Sequence, residues 1–388
     1  MRKSLLPLML GGLTIGITEF VVMGLLPDIA LDLDVTIPEA GHLIALYALG
    51  VVVGAPILVI LGRNFPPKKM LLWLAFGLAF LNGLSIVAPN YEMLLLTRFL
   101  SGLPHGAFFG VGAVVASRLA DKGKEAQAVS IMLSGLTIAN VIGVPIGTYI
   151  GHNLSWRYTF VIIAIIGFLT LISMYFLMPN LIKEKTENLR TQLKFFGKIE
   201  AWLIILITAI GFGGLFCWIS YIAPLLTKVS RFSEDSVPYI MMLAGVGMLV
   251  GNFIGGKLAD KFSPLKAVLT IQVVMAFILF SVFLFSANQI VSLTLVFLTG
   301  CAAFAMAAPI QMLMIQTAKG AEMIASAVIQ ASFNIGNALG AFLGGLPLVY
   351  GFGFASPNLV GVSMSLLGAV VVLVLLLRTG RARSLVVE

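Results

Sequence analysis

Three ionisable residues stand inside long apolar stretches of this chain: Glu19, Arg98 and His105. Glu19 lies within about 5–29, and no other acidic residue falls so deep in a segment of this kind. A carboxylate near a bilayer midplane costs at least ~2.5 kcal/mol on insertion scales, so its default reading is functional. Arg98, within about 92–118, needs an acidic partner, backbone carbonyls or a wet cavity. Glu19 is about eight residues and Arg98 about six residues in from the external ends of their segments, ~10 Å deep at the helical rise. The two are expected to share one aqueous cavity. Burial favours the neutral acid and a nearby guanidinium favours the carboxylate. A carboxyl held between these effects can bind and release a proton near neutral pH. The competing reading is a static ion pair, an expensive way to pack helices. His105 follows Arg98 by two helical turns, on the same face. It either relays protons or is satisfied by a carbonyl beside Pro104 and Gly106.

A second group of residues could contact a transported molecule: isolated polar or aromatic side chains in otherwise apolar segments. In the first half these are Met23, Tyr47 and Asn140. In the second half they are Phe216, Trp218, Gln311, Asn334 and Asn337, with Phe212, Tyr221, Gln316 and Gln330 as weaker candidates. Asn334 and Asn337 share a helix face. Asn and Gln can instead be interhelical glue, and aromatics near segment ends can be interfacial anchors. Three scattered histidines and two cysteines, Cys217 and Cys301, offer no metal-ligand constellation and no disulfide framework. The sequence therefore implies no metal and no cofactor, with the proton as coupling ion. Neither H-E-x-x-H nor G-x-S-x-G occurs, and no pair of aspartates lies at mid-membrane depth, so an intramembrane enzyme is disfavoured.

The elements that must position these residues are helices in lipid. The chain is 60% hydrophobic and 10% charged, outside the range of soluble domains. Twelve apolar segments can each cross a bilayer: about 5–29, 38–61, 69–88, 92–118, 126–150, 157–178, 201–226, 236–258, 264–286, 290–316, 321–348 and 353–377. Forty glycines and sixteen prolines suit a membrane bundle, where Gly permits close packing and Pro kinks are tolerated. The expected fold is an all-α polytopic membrane protein made of two pseudo-symmetric six-helix bundles. Residues 1–180 form the first, 181–200 a polar linker, and 201–388 the second. In the linker, Leu189, Leu193 and Phe196 recur at helical spacing among charges. That pattern fits either an interfacial amphipathic helix or a solvated tether. Internal similarity supports duplication: Gly50 and Gly54 match Gly247 and Gly251, and Asn140 and Gly151 match Asn334 and Gly345. Parallel six-helix repeats are a transporter architecture.

The net charge of +8 is a topology signal. With the N-terminus inside, Arg157, Lys228 and Arg231 are external, Arg98 is intramembrane, and the rest of the 24 Lys and Arg are cytoplasmic. By the positive-inside rule both termini are expected in the cytoplasm. This placement argues against a nucleic-acid partner. The expected setting is a bacterial inner (plasma) membrane, with the chain a multi-pass monomer whose partners are a small molecule, protons and lipid. The Met-Arg-Lys start reads as the beginning of an uncleaved first span, because the apolar run carries Glu19 and no small-x-small site.

Segment five reads SGLTIANVIGVPIGTYIG, with Gly135, Ala139, Gly143 and Gly147 on one smooth face and Pro145 as a kink. That face is either a sliding surface between the halves or a tightly packed static contact.

Over its whole length the chain resembles the major facilitator superfamily, within it the twelve-helix drug:proton antiporter branch, and most closely the arabinose efflux permease (AraJ-like) and sugar-efflux group. The segments that carry the resemblance are TEFVVMGLLPDIA, AGHLIALYALGVVVGAPIL, LLLTRFLSGLPHGAFFGVGA, ANVIGVPIGTYIG and SWRYTF. The family's span-four Arg falls on Arg98, and its span-five antiporter motif falls on Gly143, Pro145 and Gly147. Its loop motif falls on Gly256, Asp260 and Lys261 in GGKLADKFSPLK. The first-half loop, LGRNFPPKK, lacks the motif's Asp and keeps Arg63, Lys68 and Lys69; segment five has Gly-Val-Pro in place of adjacent Gly-Pro. The resemblance implies alternating access, with proton entry driving efflux of a drug, sugar or related metabolite. Uptake of a sugar or nucleoside is the alternative, because direction is not legible from residues.

Overall fold

The protein is described from a computed structural model covering residues 3–35, 37–181 and 194–384. Among these residues the secondary structure is helical throughout, with no strand. Twelve helices are long and apolar enough to cross a membrane: α1 (Lys3–Asp32), α2 (Glu39–Gly62), α3 (Pro67–Ile86), α4 (Tyr91–Leu119), α5 (Glu125–Asn153), α6 (Trp156–Leu177), α7 (Ile199–Ile219), α8 (Val237–Phe262), α9 (Pro264–Phe285), α10 (Gln289–Thr317), α11 (Glu322–Val349) and α12 (Pro357–Arg378). Their outer faces remain apolar: Trp73 is 60% exposed, Phe277 72% and Phe342 68%. In water such faces would aggregate, but against lipid tails they cost nothing. All twelve expected spans are present.

The expected linker helix is only partly testable. Leu189 and Leu193 lie outside the described residues, and Phe196 sits in a short 3-10 turn, Lys194–Gly197.

The coordinates group into two compact units, residues 1–192 with 320–331, and 193–319 with 332–388. In the first, α2 lies along α4, α3 packs on α4 and α6, and α1 is flanked by α5, α6 and α2. In the second, α8 lies along α10, while α12 packs on α7 and α9.

Each unit joins its central pair by the same device. A side chain at Gly50 or Gly54 on α2 would run into the backbone of Phe99 or Leu103 on α4. A side chain at Gly247 or Gly251 on α8 would run into the backbone of Phe297 or Cys301 on α10. The contact is reciprocal, since Gly102 faces the Tyr47 carbonyl and Gly300 faces the Ala244 carbonyl. Only a missing Cβ lets two helices come this close. The matched glycines read from the sequence are thus matched in packing.

Two of the helices carry a π-helical turn. In α5 a π-helical turn, Ala139–Gly143, ends two residues before Pro145, whose missing N–H interrupts the α-helical ladder. In α7 a second π turn, Ile207–Gly211, is followed by the short helix Gly213–Ile219. The seventh segment therefore ends near Ile219 and not near 226. A further π turn, Leu225–Val229, continues the chain.

Candidate functional site

The α1 sequence places Thr18 and Glu19 side by side amid a core of Ile17, Val21, Val22 and Leu25. The alternation of small and large residues lets α1 lie close to α5: Gly12 and Gly16 face Met132, Leu136 and Ala139. Gly135, Gly143 and Gly147 of α5 in turn face Met9, Ile17 and Val21 of α1. The smooth face of α5 is thus packed against α1 of its own unit. Of the two readings of that face, this is the closely packed contact. The physical reason is that Ile17 and Val21 already fill the space above the glycines.

Arg98, on α4, is fully buried. Its Nη1 donates to Thr18 Oγ1 at 3.0 Å and its Nε to the Leu43 carbonyl of α2 at 3.4 Å. Its guanidinium carbon lies 4.2 Å above the Tyr47 ring, a cation–π contact strengthened by desolvation. Nη2 is buried and has no hydrogen-bond partner. Thr18 passes the chain on, donating to Asn82 Oδ1 of α3 at 2.5 Å. Asn82 Nδ2 then donates to the Leu78 carbonyl at 2.8 Å. Four helices, α1 to α4, are tied at this point. Thr18 and Asn82 were not among the residues singled out from sequence. An isolated Asn inside an apolar segment was the available signal.

Glu19 is half-buried. Its carboxylate makes no hydrogen bond or ion pair with any described residue, yet lies within coulombic reach of both Arg98 and Tyr47. The static pair with Arg98, the competing reading of these two residues, is not formed in this structure. Arg98 spends its hydrogen bonds on neutral acceptors and leaves the carboxylate free of a bonded partner.

His105 is almost completely buried at 3% exposure. Its Nδ1 lies 3.1 Å from the Tyr47 hydroxyl, and its ring packs edge-on against Phe109. Tyr47, expected as a substrate contact, is 2% exposed and sits between Arg98 and His105. It is part of the charged cluster.

The other expected contacts in the first unit are separate. Met23 is 44% exposed. Asn140 is half-buried in the π turn and donates to the Leu136 carbonyl at 3.0 Å.

Among the described residues, the second unit carries no such charged cluster. By the glycine register, Ala244, Val296 and Ala303 stand where Tyr47, Arg98 and His105 stand in the first. What it has instead is aromatic. Phe212 packs against Phe216, Phe304 and Phe333, the last at 4.7 Å between ring centroids. Trp218 is buried, and its Nε1 has no hydrogen-bond partner. Gln311 is buried, whereas Asn334 and Asn337 on α11 are half-buried. Side chains at Gly340 and Gly344 of α11 would meet Gly213 and Cys217 of α7, the counterpart of the α5–α1 contact. Gly256 is buried near the end of α8, Asp260 is half-buried there, and Lys261 is exposed with its Nζ 5.2 Å over the Phe262 ring.

A chain of buried donors beside an unpaired, half-buried carboxylate suits reversible proton binding coupled to helix packing. Comparison with known proteins places the chain in a family. The sequence profile of the Major Facilitator Superfamily matches residues 8–329. The chain is 40% identical to the putative transporter AraJ of Escherichia coli (strain K12), over 91% of this chain and 90% of the relative. It is 30% identical to a probable sugar efflux transporter of Helicobacter acinonychis (strain Sheeba), over 90% and 89%. Among solved structures, that of the proton:xylose symporter XylE bound to 6-bromo-6-deoxy-D-glucose superposes with a TM-score of 0.76 at 19% identity, covering 95% of this chain and 94% of that one. At that identity the likeness speaks for the fold. Twelve apolar helices, glycine-matched pairs in each unit and a profile match across most of the chain converge: this protein belongs to the Major Facilitator Superfamily and is a multi-pass membrane transporter, not an enzyme.

Proposed function

We propose that the protein exports a small, largely uncharged molecule of the sugar class in exchange for protons, with Glu19 as the proton-binding residue. The observation that carries this reading is the state of Glu19: half-buried, without a bonded partner, and within the field of a fully buried Arg98. A carboxylate already locked in an ion pair could not exchange its proton cheaply; this one can. Support for the substrate class comes from the relative described as a probable sugar efflux transporter, together with the aromatic group around Phe212 and Phe216, since flat apolar faces suit the C–H faces of a sugar ring. Trp218 Nε1 and Gln311 add hydrogen-bonding groups on neighbouring helices.

In this mechanism, proton and substrate bind antagonistically, so each weakens the other by the same factor. The positive-inside distribution supports a topology with both termini in the cytoplasm and Glu19 toward the outer leaflet. One proton moving inward down 100 mV supplies ~2.3 kcal/mol. Alternating exposure of the site then turns proton entry into substrate exit.

The test is thermal stabilisation of purified protein by a panel of pentoses, hexoses and amphiphilic drugs at pH 5.5 and 8. A sugar that stabilises more at the higher pH fits the reading. Stabilisation by no sugar, or by a sugar equally at both pH values, contradicts it.

A further inference from the structure

We propose that the first unit holds one anionic phospholipid, its headgroup at Lys69 and one acyl chain in a groove between α2 and α3. The groove has a volume of about 330 Å³, within the ~300–1,000 Å³ of ordinary ligand sites. Its walls are Leu58, Leu61, Phe65, Trp73 and Leu81, and its floor is formed by Gly77 and Pro104. It is almost entirely apolar, so it suits a hydrocarbon chain and offers nothing to a sugar. The groove exists because two residues lack bulk where α3 meets α4. A Cβ at Gly77 would meet Pro104 only at 3.8 Å, ordinary contact distance, so the space beside it is open and is not a tight helix interface.

Charge says which lipid. At the mouth of the groove, Lys69 is exposed, with its Nζ 5.2 Å over the ring of Phe65, a groove wall. Lys69 does not line the groove itself; it lines a second cavity of about 490 Å³, with Lys68, Tyr175 and Asn180. Lys68 is already committed: its Nζ donates to the carbonyls of Tyr175 at 3.0 Å and Met178 at 2.5 Å. Lys69 has no hydrogen-bond acceptor among the described residues. In the loop just before α3, Arg63 has a buried Nη1 without a partner. No acidic residue occurs between Glu39 and Glu92 to neutralise these groups. The second unit does not repeat the arrangement, because by the glycine register Asp260 stands where Arg63 stands. A cationic rim above an apolar slot is the complement of a phosphodiester headgroup on an acyl chain.

The test adds dioleoyl-phosphatidylglycerol or dioleoyl-phosphatidylcholine to the delipidated protein in detergent and reads the thermal unfolding midpoint. Inorganic phosphate and glycerol 3-phosphate serve as headgroups without a chain. The expected result is a larger upward shift with phosphatidylglycerol than with phosphatidylcholine, lost in Lys69→Gln. Gly77→Leu fills the groove and is expected to reduce the shift with the rim charges intact. Lys266→Gln, an exposed position in the second unit, is expected to keep the full preference. Equal shifts by both lipids, indicating annular lipid only, would overturn the proposal. So would an equivalent shift with phosphate alone, or a preference that survives Lys69→Gln.

Discussion

Arg98 hydrogen-bonds to Thr18 at 3.0 Å and forms no ion pair with Glu19, the very next residue of α1. A guanidinium held by a hydroxyl, a carbonyl and an aromatic face keeps its charge in place while leaving the adjacent carboxylate free to gain or lose a proton. Tyr47 and Asn82 extend this hold to α2 and α3.

Thr18 is accordingly predicted to matter as much for integrity as for transport. Thr18→Val keeps the shape but removes the acceptor of Arg98 and the donor to Asn82. Leaving buried polar groups unmade costs about 1–3 kcal/mol each. The variant is expected to unfold at a clearly lower temperature than wild type. In a double-mutant cycle with Asn82→Leu the two losses are expected to be non-additive by at least about 0.5 kcal/mol. Additive losses would show that the short contact is not an energetic link.

Tyr47 has two separable roles. Tyr47→Phe keeps the ring under Arg98 and loses only the hydroxyl at His105, at a cost of about 0.5–1.5 kcal/mol. Tyr47→Leu also loses the cation–π contact, worth up to about 2 kcal/mol when desolvated. Stability is predicted to fall in the order wild type, Tyr47→Phe, Tyr47→Leu. Equal stability of the two variants would remove the ring from the account.

The glycine device predicts which small residues can be enlarged. Gly54→Ala and Gly251→Ala each force a methyl into the backbone of the partner helix and are expected to destabilise by about 1–3 kcal/mol. Gly83→Ala is the control, because its Cβ would meet Ala164 Cβ at 3.9 Å. Within a helix that change is neutral or stabilising by up to about 1 kcal/mol. A similar fall in the unfolding midpoint for all three would refute the packing argument.

Much of the architecture was legible in the sequence because lipid imposes simple demands. Twelve apolar runs had to become twelve helices, and the paired glycines at 50/54 and 247/251 had to serve close packing. Glu19 and Arg98 were visible because charge in an apolar run is costly. Their partners were not. Thr18 and Asn82 are ordinary residues, and which helices touch depends on tertiary packing that no periodicity encodes. The glycine face of α5 was legible as a contact surface, but its partner, α1, was not. The irregular turns of α7 were also hidden, since nothing in the apolar pattern of Ile207–Gly211 separates a π turn from an α-helical one.

An outer clamp offers a prediction about salt. Asp32 at the end of α1 accepts hydrogen bonds from Trp156 Nε1 at 3.0 Å and from Arg157, which also reaches the Ala88 carbonyl. Both charged groups are partly exposed, at 32% and 45%. Asp32→Asn is therefore expected to cost at most about 1 kcal/mol, and less at high ionic strength. A large, salt-independent fall in unfolding temperature would show that the clamp acts as a buried pair.

The central claim is that Glu19 is where the proton competes with the substrate. Its most direct measurement is transport driven by an imposed pH gradient in proteoliposomes, using the sugar that the thermal panel identifies, for wild type and Glu19→Gln. The account predicts that wild type accumulates the sugar, against its gradient, on the side that is acidified. Glu19→Gln should lose that accumulation while still exchanging labelled for unlabelled sugar without a gradient. Full gradient-driven accumulation by Glu19→Gln would contradict it.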